Sequence, residues 1–216
     1  MEGCGILFDL DGTLLDTLAD LTDSTNYALR VHGFPEKTLE QIRSYVGNGA
    51  RNQIRLSLPE GAGEETIQAV LDTYKTYYAA HCQIKTRPYA GIPEALAVLR
   101  DRYPMAIVSN KPDIAVRELC ARHFPGICAR GEGPGCPRKP APDMVWQAMA
   151  ELGVKKCVYI GDSEVDVLTA RNAGVPCVSV LWGFREKAEL EAAGAELFCE
   201  TPQTLSAIVE EVIHGK

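Results

Sequence analysis

A chain of 216 residues, 46% hydrophobic and 24% charged, has the composition of a soluble globular protein and is long enough to bury a sizeable core. Fibrous, collagen-like and largely disordered polymers are excluded. With 22 Lys and Arg against 29 Asp and Glu, the formal net charge of −7 opposes broad binding to nucleic acid or an anionic membrane, though it leaves room for a local anion site.

Gly5-Ile6-Leu7-Phe8 is a short continuous apolar run that ends in Asp9. The segment 16–85 then contains no convincing strand. Its amphipathic stretches, Leu18 to Val31, Leu39 to Val46 and Thr66 to Ala80, are separated by turn residues at Gly33-Phe34-Pro35, Gly47-Asn48-Gly49 and Pro59-Glu60-Gly61. Alternation begins after it. Helical patterns at Ile92 to Arg100, Ile114 to Arg122, Pro142 to Leu152 and Val165 to Ala173 interleave with apolar runs at Met105 to Val108, Cys157 to Ile160 and Cys177 to Leu181. Residues 131–142, rich in Gly and Pro, read as a loop. Apolar runs without alternation predict strands buried on both faces, and the order predicts an α/β, doubly wound parallel sheet. Residues 1–15 and 86–216 form the expected α/β core, and residues 16–85 a small inserted helical domain.

No stretch approaches the roughly 20 apolar residues that span a bilayer. The opening Met1-Glu2-Gly3-Cys4 lacks the basic start of a signal peptide. The eight cysteines form no Cys-x-x-Cys and read as reduced thiols of a cytoplasmic protein. The even spacing of Cys120, Cys128 and Cys136 matches no common zinc pattern.

In an open α/β sheet, ligands bind beyond the carboxyl ends of the strands. The predicted strands deliver Asp9 and Asp11, Ser109 and Asn110, and Asp162 and Asp166 there, and Lys139 joins them from the loop before a helix. Four converging carboxylates repel one another unless a cation binds, and Mg²⁺ with oxygen ligands is usual where phosphate also binds. Ser109 and Lys139 then suit an anion beside the metal. Two carboxylates two residues apart can divide the work of nucleophile and general acid/base. Gly12 permits a sharp exit from the strand, and Thr13 offers a hydroxyl to a phosphate oxygen.

These residues, in order and spacing, resemble the haloacid dehalogenase-like superfamily of phosphatases over nearly the whole chain. Asp9-Leu10-Asp11-Gly12-Thr13 resembles its first motif and Ser109-Asn110 its second. Lys139-Pro140 resembles the third, and Gly161-Asp162-Ser163-Glu164-Val165-Asp166 the fourth. The resemblance implies a Rossmann-like core and an aspartyl-phosphate formed on Asp9. It gives Asp11 the role of protonating the leaving alcohol and then activating water. It implies Mg²⁺ held by the Asp9 carboxylate, the Asp11 carbonyl and Asp162, with Asp166 behind these ligands. Phosphate contacts fall to Thr13, Ser109, Asn110 and Lys139; Asn110 has the alternative of capping the following helix. The insert corresponds to a helical cap, whose Tyr45-Val46-Gly47-Asn48-Gly49-Ala50-Arg51 resembles the specificity loop of phosphoglycolate phosphatases. Asn48, Gly49 and Arg51 are the candidate substrate-reading residues there, the alternative being a plain turn with Arg51 in solvent. Arg185 reads as a rim residue.

A Mg²⁺-dependent phosphomonoesterase acting on a small phosphorylated metabolite such as 2-phosphoglycolate is therefore expected, as a monomer or homodimer. The alternatives are a phosphosugar mutase of the same superfamily and, from a different class, a non-enzymatic receiver-type phospho-acceptor switch. The switch reading is opposed by the length, the large insert and the Asp-x-Asp-Gly-Thr order.

Overall fold

The computed structural model of the protein describes residues 3–133 and 135–215. Met1 and Glu2 of the opening run, and Pro134 of the Gly/Pro-rich loop, lie outside them. The chain divides into two compact units: one runs up to Leu15 and resumes at Pro88, and the other is Asp16–Arg87.

The first unit is built on a six-stranded sheet. In chain order its strands are β1 (Cys4–Phe8), β4 (Met105–Pro112), β5 (Cys128–Glu132), β6 (Lys156–Gly161), β7 (Cys177–Val180) and β8 (Leu197–Cys199). Two-residue strands β2 (Leu15–Asp16) and β3 (Arg87–Pro88) lie where the chain passes between the units. The sheet order is β5-β4-β1-β6-β7-β8 and every pairing is parallel, with Ile6 of β1 opposite Met105 on one side and Val158 on the other.

Period-2 alternation splits the apolar runs between two cores. Ile6, Phe8, Ile107, Val158 and Ile160 face the residues of α5 (Ile92–Arg100), α6 (Asp113–His123) and α10 (Leu205–His214). Leu7, Ala106, Val108, Cys157 and Tyr159 face α7 (Asp143–Leu152) and α8 (Glu164–Ala173). Both faces are covered, which is why these strands read as unbroken hydrophobic runs, and the α/β doubly wound class is observed. A short α9 (Lys187–Ala192) and a single 3₁₀ turn at Pro202–Thr204 complete the unit.

Besides the two-residue β2 and β3, two strands of the six-stranded sheet escaped the sequence reading. β5 runs into only the first two residues, Gly131 and Glu132, of the segment expected to be loop, and β8 has only three residues. Both are edge strands, buried on fewer sides, so neither needs a long apolar run.

The second unit contains α1 (Leu18–Val31), α2 (Leu39–Tyr45), α3 (Gly49–Ser57) and α4 (Glu64–His81) around a core that includes Leu21, Leu29, Ile42, Ile54, Val70 and Tyr74. The Thr38 hydroxyl accepts from the Gln41 amide, and the Gln41 side chain accepts from the Thr38 amide, which fixes the start of α2. The sequence boundary at 85/86 falls two residues short of the observed one. Buried Asp20 explains this, since it accepts from the Lys85 and Thr86 amides and from the Thr86 hydroxyl at 2.8–3.0 Å and so holds these residues to α1. No helix among the described residues is long and apolar enough to cross a membrane. The eight cysteines are free thiols, and burial pushes those of Cys120 and Cys157 up to about 12.

Candidate active site

The order of the sheet reverses around β1, whose neighbours β4 and β6 lead away on opposite sides. Ligands gather at the carboxyl ends of strands beside such a reversal. Asp9 follows β1 directly, Ser109, Asn110 and Lys111 lie in the last half of β4, and Asp162 follows β6. Asp9 continues the face of Leu7, and on the next strand Tyr159 occupies that same face.

Lys139 is the centre of the cluster. Its buried ammonium lies 2.6 Å from Asp9 Oδ1, 2.8 Å from Asp166 Oδ1 and 3.0 Å from the Tyr159 hydroxyl. The Tyr159 hydroxyl also donates to Asp166 Oδ1 at 3.0 Å. Asp166 is fixed from its other oxygen, which accepts from the Ser163 amide and hydroxyl at the start of α8. Every Asp166 oxygen is thus engaged, whereas Asp9 Oδ2 accepts no hydrogen bond among the described residues.

Asp162 sits between two close backbone approaches. Gly12 has φ +87°, and a Cβ there would come within 2.2 Å of Asp162 Oδ2; a Cβ on Gly183 would come within 2.2 Å of Asp162 Cβ. The Thr13 hydroxyl donates to Asp162 Oδ1 at 3.0 Å, and the Phe184 amide donates to Oδ2 at 2.7 Å. The loop after β7 contributes further: Trp182 Nε1 donates to the Thr13 carbonyl at 2.9 Å, and Arg185 Nε to Glu164 at 2.7 Å.

Several of the expected residues have partners that the sequence did not indicate. Thr13 is fully buried, and its hydroxyl donates to Asp162 and orients that carboxylate. Asn110 is not the N-cap of α6, which is Pro112; its side chain donates to the Lys139 carbonyl at 2.9 Å and accepts from the Lys139 amide at 2.7 Å. It thereby clamps the loop that carries Lys139, whose bond to Pro140 is cis. Arg185 is not on a rim but 6% exposed. Ser109 is buried and accepts from the Lys111 amide at 3.3 Å. The Asp11 carboxylate stands apart from the cluster, paired with buried Lys111, a residue in none of the motifs read from the sequence.

In the other unit, Gly49 opens α3 where the sequence suggested a loop, and Asn48 is its N-cap residue, with no capping hydrogen bond from its side chain. Arg51 is not free in solvent; it pairs with Glu64 and donates to Gln68 Oε1 at 3.0 Å, both on α4.

Asp9, Asp162 and Asp166 bring carboxylate oxygens within 4.8 Å of one another. Burial pushes the Asp9 carboxyl well up; Lys139 opposes the rise, and Asp166 and Asp162 add to it. Burial, then Asp166, pushes Asp162 up to about 7. Three carboxylates against one ammonium leave two negative charges, and every donor is oxygen. The residues present therefore fit a hard divalent cation.

Residues 6–180 match the haloacid dehalogenase-like hydrolase family. A Rhodobacter capsulatus phosphoglycolate phosphatase is 36% identical over 193 residues, covering 84% of this chain and 85% of its own length. An N-acetylmuramic acid 6-phosphate phosphatase of Pseudomonas aeruginosa is 28% identical over 217 residues, covering 96% and 95%. Among solved structures, a candidate phosphoglycolate phosphatase from Lactobacillus delbrueckii subsp. bulgaricus superposes with a TM-score of 0.91 at 39% identity, covering 97% of this chain and 99% of that one. The sheet order, the acidic cluster at its reversal and these likenesses agree: the chain belongs to the haloacid dehalogenase-like hydrolases.

Proposed function

We propose that the protein is a Mg²⁺-dependent phosphomonoesterase that forms an aspartyl-phosphate on Asp9 and acts on a small phosphorylated metabolite bearing a carboxylate, with 2-phosphoglycolate the foremost candidate. The observation that carries the chemistry is the state of Asp9: buried, one oxygen held by Lys139 at 2.6 Å, the other open for attack.

Asp9 Oδ2 attacks phosphorus as the bond to the leaving alcohol breaks, and Asp11 gives that alcohol its proton. Asp11 then takes a proton from the water that attacks phosphorus, and the bond to Asp9 Oδ2 breaks to release phosphate. The Lys139 ammonium and the Ser109 hydroxyl stabilise the charge spread over the phosphoryl oxygens, while Asn110 and Thr13 hold Lys139 and Asp162 in place. Mg²⁺, held by the Asp9 and Asp162 carboxylates and the Asp11 carbonyl, would supply further positive charge against the same oxygens.

Support for the substrate class comes from the relatives. Phosphoglycolate and N-acetylmuramic acid 6-phosphate, the substrates named for them, are both phosphate monoesters that carry a carboxylate. Arg51, with Asn48 and Gly49 beside it, has the charge to read that group once it exchanges Glu64 for the substrate. Wild-type and Arg51→Ala protein, assayed on 2-phosphoglycolate and on p-nitrophenyl phosphate, test this. Loss of Arg51 is expected to lower kcat/KM for the carboxylate-bearing ester at least about tenfold more than for the aryl ester. An equal effect on both removes Arg51 as the reader of the carboxylate.

A further inference from the structure

Lys111 lies outside every motif read from the sequence, yet it is built into the site. Its side chain is 5% exposed, and its ammonium sits 2.8 Å from Asp11 Oδ1 and 3.0 Å from Oδ2. No other side chain or amide donates to the Asp11 carboxylate among the described residues. Exposed ion pairs contribute little, but a lysine withdrawn from water loses hydration that only a well-placed partner offsets.

The backbone at Lys111 is fixed from both sides. Asn110, just before it, is clamped to the Lys139 backbone. Asp113, two residues after it, accepts from the Gly131 amide at 2.9 Å. Between them, β5 packs so closely that a Cβ on Gly131 would come within 2.5 Å of the Lys111 carbonyl oxygen. The ammonium is therefore placed by the packing of β4 on β5, not by a freely turning surface chain.

We propose that Lys111 is the positioning residue for Asp11. By holding both carboxylate oxygens it fixes the orientation from which Asp11 exchanges protons, first with the leaving alcohol and then with water. Lys111 itself gains and loses no proton: in the first step the proton passes from Asp11 to the alcohol oxygen as its bond to phosphorus breaks, and in the second it returns to Asp11 from the attacking water. This role rests on the phosphomonoesterase reading above, and it differs from a contact between Lys111 and the phosphoryl group.

Leaving-group chemistry separates the two. An alkyl alcohol needs a proton as it departs, whereas p-nitrophenolate leaves without one, and kcat/KM covers the steps through that departure. Lys111→Met and Lys111→Arg are compared with wild type on glycerol 1-phosphate, 2-phosphoglycolate and p-nitrophenyl phosphate. Lys111→Met is expected to lower the alkyl-to-aryl ratio of kcat/KM by about tenfold or more for both alkyl esters, a part of the roughly 10²- to 10⁴-fold that general acids contribute. Lys111→Arg, which keeps the charge in a different shape, is expected to recover part of that ratio. The aryl ester reports that each variant is folded, and Lys111→Arg gives the ratio if Lys111→Met does not fold. An equal fall on all three esters overturns the role in favour of a phosphoryl contact. A fall confined to 2-phosphoglycolate overturns it in favour of a carboxylate contact. Wild-type protein that releases phosphate from none of the three overturns the phosphomonoesterase reading and this role with it.

Discussion

Lys139 shows how one side chain organises a site. Its ammonium bridges Asp9 and Asp166; burial works against its charge, but the two carboxylates outweigh burial and raise its proton affinity well above that of an ordinary lysine. Asp9 is thereby oriented through one oxygen and left reactive through the other. Replacing Asp9 with Asn removes the proposed nucleophile while keeping its shape. It is expected to lower phosphate release by at least about 10³-fold, with circular dichroism and Tm near those of the wild type. Turnover near wild type in that variant removes Asp9 from the mechanism. Asp162 carries a second prediction. Its carboxyl is pushed from 3.8 up to about 7 in the folded protein, by burial first and then by Asp166. Between those values the folded state holds a proton that the unfolded chain has lost, so stability falls as pH rises through that window in the absence of a cation. A divalent cation on the cluster takes the place of the proton. Mg²⁺ is therefore expected to raise Tm more at about pH 8 than at about pH 5, as scanning calorimetry can measure. Equal shifts at both pH values contradict a site built from Asp9 and Asp162.

At the scale of elements, the loop that follows β7 does much of the work of shaping the site. The Phe184 amide orients Asp162, Trp182 holds the Thr13 carbonyl, and Gly183 leaves room for the Asp162 side chain. A Cβ at Gly183 would overlap Asp162 Cβ, so Gly183→Ala is expected to weaken divalent-cation affinity by about 10- to 100-fold, as loss of outer support does at metal sites. Isothermal titration with Mg²⁺ measures this, and unchanged affinity contradicts the packing account. Little of that loop was legible beforehand, because Trp-Gly-Phe-Arg after a strand carries no spacing signal of its own. Tyr159 was hidden for another reason: inside an apolar run, a tyrosine whose hydroxyl bonds Lys139 and Asp166 looks like any core aromatic. The strands that read clearly are those buried on both faces, and the missed ones, β5 and β8, lie at the edges. α3 was missed because Gly47, just before it, and Gly49, its first residue, signal a turn more strongly than its short polar sequence signals a helix.

At the scale of the whole molecule, a chain with net charge −7 gathers four carboxylates, Asp9, Asp11, Asp162 and Asp166, at the reversal of one sheet and sets two buried lysines among them. The motifs on β1, β4, the Lys139 loop and β6 were legible because chemistry restricts residue types there. The partners that orient them, Asn110 on Lys139, Thr13 on Asp162 and Lys111 on Asp11, depend on how separate strand ends meet, which spacing does not encode. Each unit has its own apolar core. Phosphate release from 2-phosphoglycolate, assayed with Mg²⁺, after EDTA, and after Mg²⁺ is restored, tests the central claim most directly. The account predicts release with Mg²⁺, its loss on chelation and its return with the metal. Release that continues undiminished in EDTA, or no release from this or any other phosphate ester with Mg²⁺ present, would contradict it.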